Sequence, residues 1–152
     1  MNDYKSRIEI LFEQLGIGQV MCLATSLDEK VFARSMSVII HKQKFYFQTD
    51  KSYNKYYHLS CNKNVALCFN NIQIEGTARE LGHPLKSENL FFTDKYQECF
   101  PGSYEKYTHL SNEVLFEVTP CHITVWDYDN GKPFRKFYDC LNKSYKKLYY
   151  DK

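Results

Sequence analysis

The chain has 152 residues, 43% of them hydrophobic and 16% aromatic, with a formal net charge of +2. That composition excludes a disordered chain and suits a single domain over 1–152, with a core that needs neither disulfide nor metal staples. A charge this near neutral argues against a nucleic-acid partner, since the lysines are interleaved with acids except in the stretch 143–147.

Residues 3–15 carry Ile8, Leu11, Phe12 and Leu15 at helical spacing, and Gly16 and Gly18 stop that helix. The apolar run 19–26 predicts a strand, 27–30 a polar turn and 31–40 a second strand. A turn at 41–44 leads to the aromatic run 45–49, and three strands with short polar links read as an antiparallel meander. Ser52 is placed to cap a helix running to about residue 60, with Tyr53, Tyr56 and Leu59 toward the core. Residues 65–69 and 72–81 predict two more strands around an Asn70-Asn71 turn, and Gly76 marks a bulge or a close backbone approach. A helix over 85–96 and a shorter one reaching Leu110 follow. The long run 113–128 predicts a sixth strand, kinked or edge-placed by Pro120. After the turn signal Asn130-Gly131, residues 132–152 form an amphipathic, aromatic tail. The fold class is α+β, mainly β: a six-stranded antiparallel barrel with peripheral helices.

The six cysteines (22, 61, 68, 99, 121 and 140) contain no CxxC pair, and no Cys–His cluster has zinc spacing. With a polar, charged N-terminus and no signal peptide, they read as reduced thiols of a cytoplasmic protein, mostly small core residues. No apolar run approaches the ~18 residues of a membrane span. His41, His58, His83, His109 and His122 lack metal spacing and read as surface or capping residues.

The stretch 31–55 carries the chemistry. Arg34 shares a face, by the period of two, with Phe32, Met36 and Val38. A charge on an apolar face needs a partner. Either Arg34, Thr49, Ser52 and Lys55 converge on an anion such as a phosphate, or Arg34 pairs with Asp50 or a glutamate at the barrel mouth. Lys55 falls in the first helical turn, where a cation opposes the helix dipole unless an anion is bound there. Trp126, the only tryptophan, reads as a core or interface aromatic or as a ligand contact. The Tyr-rich segment 96–107 covers one barrel end or lines a substrate side. No acid, base or nucleophile can be nominated as catalytic.

The strings CLATSLDEKVFARSMSVII, KFYFQTDKSYNKYYHLSCNKNVALCF and IQIEGTAREL carry a resemblance through their order and spacing. Over 18–81, and loosely over 114–126, the chain resembles the pyridoxamine 5'-phosphate oxidase-like, FMN-binding split-barrel family. The resemblance implies a six-stranded antiparallel split β-barrel and a homodimer with two FMN sites at its interface. It also implies flavin-dependent oxidoreduction of a small molecule, with a non-catalytic flavin- or haem-binding module as the alternative. Residue by residue, it places Arg34, Ser52 and Lys55 on the flavin phosphate, and the backbone of Ser35, Met36 and Ser37 beside the isoalloxazine ring. Phe47, Gln48 and Thr49 become strand-end flavin contacts. The partner subunit would contribute Asn71 or Gln73, together with Trp126 and Arg135. The oxidase proper has a C-terminal arginine–histidine substrate motif, whereas this region reads FRKFYDC, and the Ser52–Lys55 spacing is one residue longer. Both departures separate the chain from pyridoxamine phosphate as substrate.

Overall fold

The computed structural model describes residues 3–150. Helix α1 (Asp3–Leu15) buries Tyr4, Ile8, Leu11 and Leu15 along one stripe, and Phe12 packs half-buried beside them. Gly16 ends it in the left-handed region at φ +76°. Strands β1 (Gly18–Leu27), β2 (Lys30–His41) and β3 (Lys44–Asp50) then form the antiparallel meander. Its two hairpin turns place Asp28, Glu29, Lys42 and Gln43 at positive φ, the mirror-image turn geometry that matches strand twist. None of the four is a glycine or asparagine, so these turns carry a weak sequence signature.

Strands β4 (Asn64–Phe69), β5 (Ile72–Gly82) and β6 (Glu113–Asp129) continue the sheet in the order β3-β2-β1-β4-β5-β6. The barrel closes when β6 returns to β3, along rungs from Phe45↔Val118 to Asp50↔Glu113. Leu23, Val38, Phe45, Phe47, Leu67, Ile74, Val114 and Val118 fill the interior with no exposed surface. The two readings of Gly76 hold together. The register shifts between Glu75 and Gly76, and a Cβ on Gly76 would meet the Thr119 carbonyl oxygen at 2.6 Å. Pro120, which lacks an N–H, sits opposite that bulge.

Helix α2 (Asn54–Cys61) follows β3 and turns Leu59 into the barrel core. A 3-10 turn (Ser87–Asn89) leads to α3 (Leu90–Cys99), the single turn α4 (Pro101–Ser103) and a π-type turn (Tyr104–Thr108). These segments cover a second, smaller core on the outside of the barrel, built from Ile39, Tyr46, Phe92, Tyr96 and Leu115.

Several expectations are corrected. The tail beyond Asn130-Gly131 is two further strands, β7 (Lys132–Asp139) and β8 (Ser144–Tyr149), which extend the sheet past β6 and make it eight-stranded. Their alternation was masked because both faces carry aromatic rings and lysines. Helix α2 begins at Asn54 behind a Tyr53 N-cap that makes no side-chain cap bond, so Ser52 does not cap it; Tyr53 is 52% exposed, outside the core. The helix expected over 85–96 starts at Leu90, after the 3-10 turn. Cysteines are free, but none is fully buried, and Cys61 and Cys68 are exposed. His58 is buried, bonded to Thr25 and stacked on Phe32, where surface or capping positions were expected.

One departure from regular closure positions the site. β2 pairs with β3 at only three rungs, Ile39↔Tyr46, Ile40↔Phe45 and His41↔Lys44. Toward Lys30, β2 keeps its ladder with β1 but has none with β3, so the segment 34–37 has one backbone edge outside the sheet ladder.

Candidate functional site

At this split, a charged cluster forms from three elements. Arg34 leaves β2 on the same face as Val38 and Ile40, half-buried at the barrel mouth. One of its terminal nitrogens, Nη1, donates to the Leu23 carbonyl oxygen at 3.1 Å. That bond fixes the guanidinium to β1 and leaves its other donors for a ligand. Lys55, in the first turn of α2, is also half-buried, with Nζ 5.0 Å from the centre of the Tyr53 ring. Neither cation forms an ion pair among the described residues. The expectation that Arg34 pairs with Asp50 or a glutamate is therefore not met.

The electrostatics follow from that crowding. Burial lowers the Lys55 pKa first and the charge of Arg34 lowers it further, while Glu113 partly offsets both. Burial likewise lowers Arg34, opposed by Cys22. Glu113 opens β6 opposite Asp50 and is 6% exposed. Its carboxyl is pushed up to about 7, chiefly by burial and then by Asp50, against the pull of Lys55 and a hydrogen bond from Gln48. Two cations, offset in part by the ionised Asp50 and by a carboxyl pushed up to about 7, form a weakly positive site. A dianionic phosphate complements it, because a bound anion stabilises both cations and an arginine fork matches phosphate oxygens.

The remaining residues divide by face. Thr49 points inward and is 2% exposed, and its hydroxyl is buried without a hydrogen-bond partner. An orphaned hydroxyl at the strand end that leads into α2 fits a site that is completed by a ligand. Ser52 is exposed, and its hydroxyl and backbone N–H both bond to the Asp50 carboxylate, at 2.6 and 2.8 Å. These bonds hold Asp50 below the usual carboxylate range. Ser35 is exposed on the outer face, Met36 packs half-buried against the core, and Ser37 is half-buried near Tyr96 of α3. Gln48 is buried on the outer face and accepts a bond from Thr108 at 3.0 Å. Phe47 lies wholly in the core, stacked on Phe116, so only its backbone can reach a ligand.

Asn71, Gln73 and Trp126 do not join the cluster within one chain. Asn71 Nδ2 donates to the Trp126 carbonyl at 2.5 Å, and the Trp126 N–H donates to the Asn71 backbone carbonyl at 3.1 Å. Gln73 is half-buried, in register with Cys68 and Thr124. Trp126 is 40% exposed, in register with Arg135, whose Nε is buried and unpaired between the rings of Phe137 and Tyr150. A hollow of about 390 Å³ lined by Ala24, Ser26, Val31, Glu75 and His122 contains neither Arg34 nor Lys55. Sequence reasoning missed Glu113; the only available signal was an acid at the start of a run that is otherwise apolar.

Fold and site together define a small β-barrel protein with two cations, in no ion pair among the described residues, at a strand–helix junction. The sequence matches the family described as pyridoxamine 5'-phosphate oxidase over residues 13–127, and the chain belongs to that family. No curated protein matches the sequence. Among solved structures, it is similar to a pyridoxamine 5'-phosphate oxidase-related, FMN binding protein from Nostoc punctiforme. There the TM-score is 0.61 at 12% identity, over 97% of this chain and 95% of that one. It is similar to Campylobacter jejuni ChuZ with a TM-score of 0.72 at 11% identity, over 93% of this chain and 62% of that one. It is also similar to HutZ, the heme storage protein of Vibrio cholerae, with a TM-score of 0.60 at 11% identity, over 77% of this chain and 89% of that one. Likeness at these identities concerns the fold. Among the described residues, no helix is long and apolar enough to cross a membrane.

Proposed function

We propose that this chain binds FMN and acts as a flavin-dependent oxidoreductase on a small molecule, as a cytoplasmic homodimer. The observation that carries the reading is the pairing of Arg34 and Lys55, half-buried and without a carboxylate partner, beside a strand edge left outside the ladder. Arg34 and Lys55 hold the phosphate, with Ser52 at the rim. Backbone N–H groups along the segment 34–37 face the ring edge, where fixed donors favour negative charge. Bound flavin supplies the electron or hydride transfer; the protein supplies position and electrostatics. Gln48 and Thr49 close the strand-end side of the pocket, and Phe47 contributes backbone. The second wall comes from a partner subunit through Asn71 or Gln73 and Trp126. Exposed apolar side chains at Val20, Val31 and Trp126 support that association, at 56%, 74% and 40% exposure.

A spectral titration tests the reading. Added FMN is expected to bind with quenched flavin fluorescence, and NADH or NADPH is expected to reduce it. A chain that stays colourless in excess FMN overturns the proposal. Similarity to a heme storage protein favours one competing outcome: a Soret band on adding haem, with no flavin uptake.

A further inference from the structure

Cys22 and Cys68 are directly opposed partners on β1 and β4. Directly opposed residues share a face, with Cβ atoms ~4.5–5.5 Å apart. A disulfide requires about 3.5–4.5 Å between Cβ atoms and ~4.4–6.8 Å between Cα atoms, so a small closure of the strands brings the two within bonding range. The place in the ladder permits that closure. Cys22↔Cys68 is the end rung of a three-rung pairing, next to the turn at Asn70. Both thiols are free, Cys68 exposed and Cys22 half-exposed, and their neighbours in the row are the polar Ser35 and Gln73.

The other thiols lack this combination. Cys61 is exposed on α2 with no cysteine across from it, and Cys99 lies against Gly18. Cys140 N–H bonds the Cys121 carbonyl at 2.9 Å, so these two are also neighbours. Cys140, however, packs against the barrel core, and burial pushes its thiol pKa up, which withholds the reactive thiolate.

We propose that Cys22 and Cys68 form a reversible redox pair, oxidised to an intrachain disulfide by exchange with a low-molecular-weight disulfide of the glutathione type. The Cys68 thiolate attacks one sulfur of glutathione disulfide; that S–S bond breaks, and one glutathione leaves with the electron pair and takes up a proton. The Cys22 thiolate then attacks the Cys68 sulfur of the mixed disulfide, and the second glutathione leaves in the same way. Two cysteine thiols are oxidised, and one glutathione disulfide is reduced to two thiols. The bond would tie β1 to β4 one residue from Leu23, the carbonyl that anchors Arg34. The exchange needs no flavin; because Val20 and Gln73 on the same face belong to the proposed dimer contact, it is a reaction of the dissociated chain, and its thiol map is read apart from FMN uptake.

The test uses the full chain, reduced and then equilibrated in glutathione buffers of rising disulfide content. Free thiols are alkylated before tryptic mapping. The expected product is residues 8–30 joined to residues 64–79 with loss of two hydrogens, reversed by excess reduced glutathione. Cys22→Ser is expected to retain one glutathione on Cys68. A wild-type chain that keeps glutathione on Cys68 without converting it, or that links Cys68 to Cys61 or to a second chain, overturns the proposal. The wild-type map decides the matter even if the serine variant folds poorly.

Discussion

Two clusters of charge on the same barrel are built in opposite ways. Glu117 is 7% exposed and fully partnered: Arg79 lies at 3.1 Å, Lys44 at 3.5 Å, and the Tyr46 hydroxyl donates to it at 2.9 Å. Burial and that carboxylate push the Tyr46 pKa well above its ordinary value, which keeps the phenol a donor. At the barrel mouth, Arg34 and Lys55 are crowded together with a single bond to a carbonyl and no ion pair among the described residues. A satisfied buried charge holds the fold in one arrangement, whereas surplus charge of one sign is a cost that a ligand can reverse. The first cluster is therefore structural, and the second is the place to look for function.

The comparison breaks if removing the cations harms the fold more than it harms binding. Arg34→Ala with Lys55→Ala is expected to weaken FMN binding by ~3–6 kcal/mol, at least a hundredfold, since each charged hydrogen bond is worth ~1.5–3 kcal/mol. The same double variant should leave the urea midpoint unchanged or raise it, because it relieves like-charge repulsion. Equilibrium dialysis and urea unfolding on one preparation give both answers.

The next effect is a dependence on pH through Glu113. Its folded pKa of about 7 lies above the ordinary 4.5. A carboxyl raised on folding contributes stability that is fully present below pH ~4.5 and is lost as pH rises through 7, up to about 3 kcal/mol. Glu113→Gln should remove that slope, so the variant is the more stable of the two at pH 8 and the curves converge at pH 4. Charging Glu113 also places a negative group near Lys55, in the proposed phosphate site. Relative to the variant, wild-type FMN affinity is therefore expected to fall between pH 6 and 8, the titration of the phosphate itself near pH ~6 being common to both. Parallel titrations of the two proteins across that range check both effects.

Glu117→Ala supplies the converse. It strands the Tyr46 hydroxyl and leaves two cations unpaired. Arg79 is 69% exposed, so solvent moderates the loss to about 2–3 kcal/mol of stability. FMN affinity should stay within about twofold, measured on the folded fraction.

These two clusters also explain how far the sequence could be read. Alternation in the strand 31–40 and the aromatic run 45–49 exposed the meander, although β3 proves to be buried on both faces. Arg34 was conspicuous because it interrupts the apolar face of the strand 31–40. Glu117 and Glu113 were not, because β6 is buried over most of its first half and their polar partners come from β3, β5 and α2. Long-range polar pairing leaves no local period. Ser52 resembled a helix cap, but Asp50, two residues earlier, captured its hydroxyl first. The β7–β8 ribbon was hidden for a different reason: Lys147 lies over the rings of Phe134 and Tyr149, and Arg135 over those of Phe137 and Tyr150, so both faces mix charge with rings. The second wall of the proposed pocket was indicated only by resemblance, since Asn71 and Trp126 bond to each other and not to the cluster.

The smallest effect separates the two clusters most sharply. Thr49 is buried with its hydroxyl unpartnered, at the end of β3 that delivers Ser52 and Lys55. In a structural cluster such an atom is a defect. Thr49→Val deletes it while keeping the shape, and should stabilise the free chain by about 1 kcal/mol. In a binding corner the same hydroxyl is a donor that waits for an acceptor, so Thr49→Val should also weaken FMN binding by about fivefold, roughly 1 kcal/mol. Stability and affinity would then move in opposite directions at one residue. Thermal unfolding with and without FMN reads both: the variant should melt higher alone and gain less from the ligand. A variant that melts higher by the same margin with and without FMN would place Thr49 in the core and outside the site.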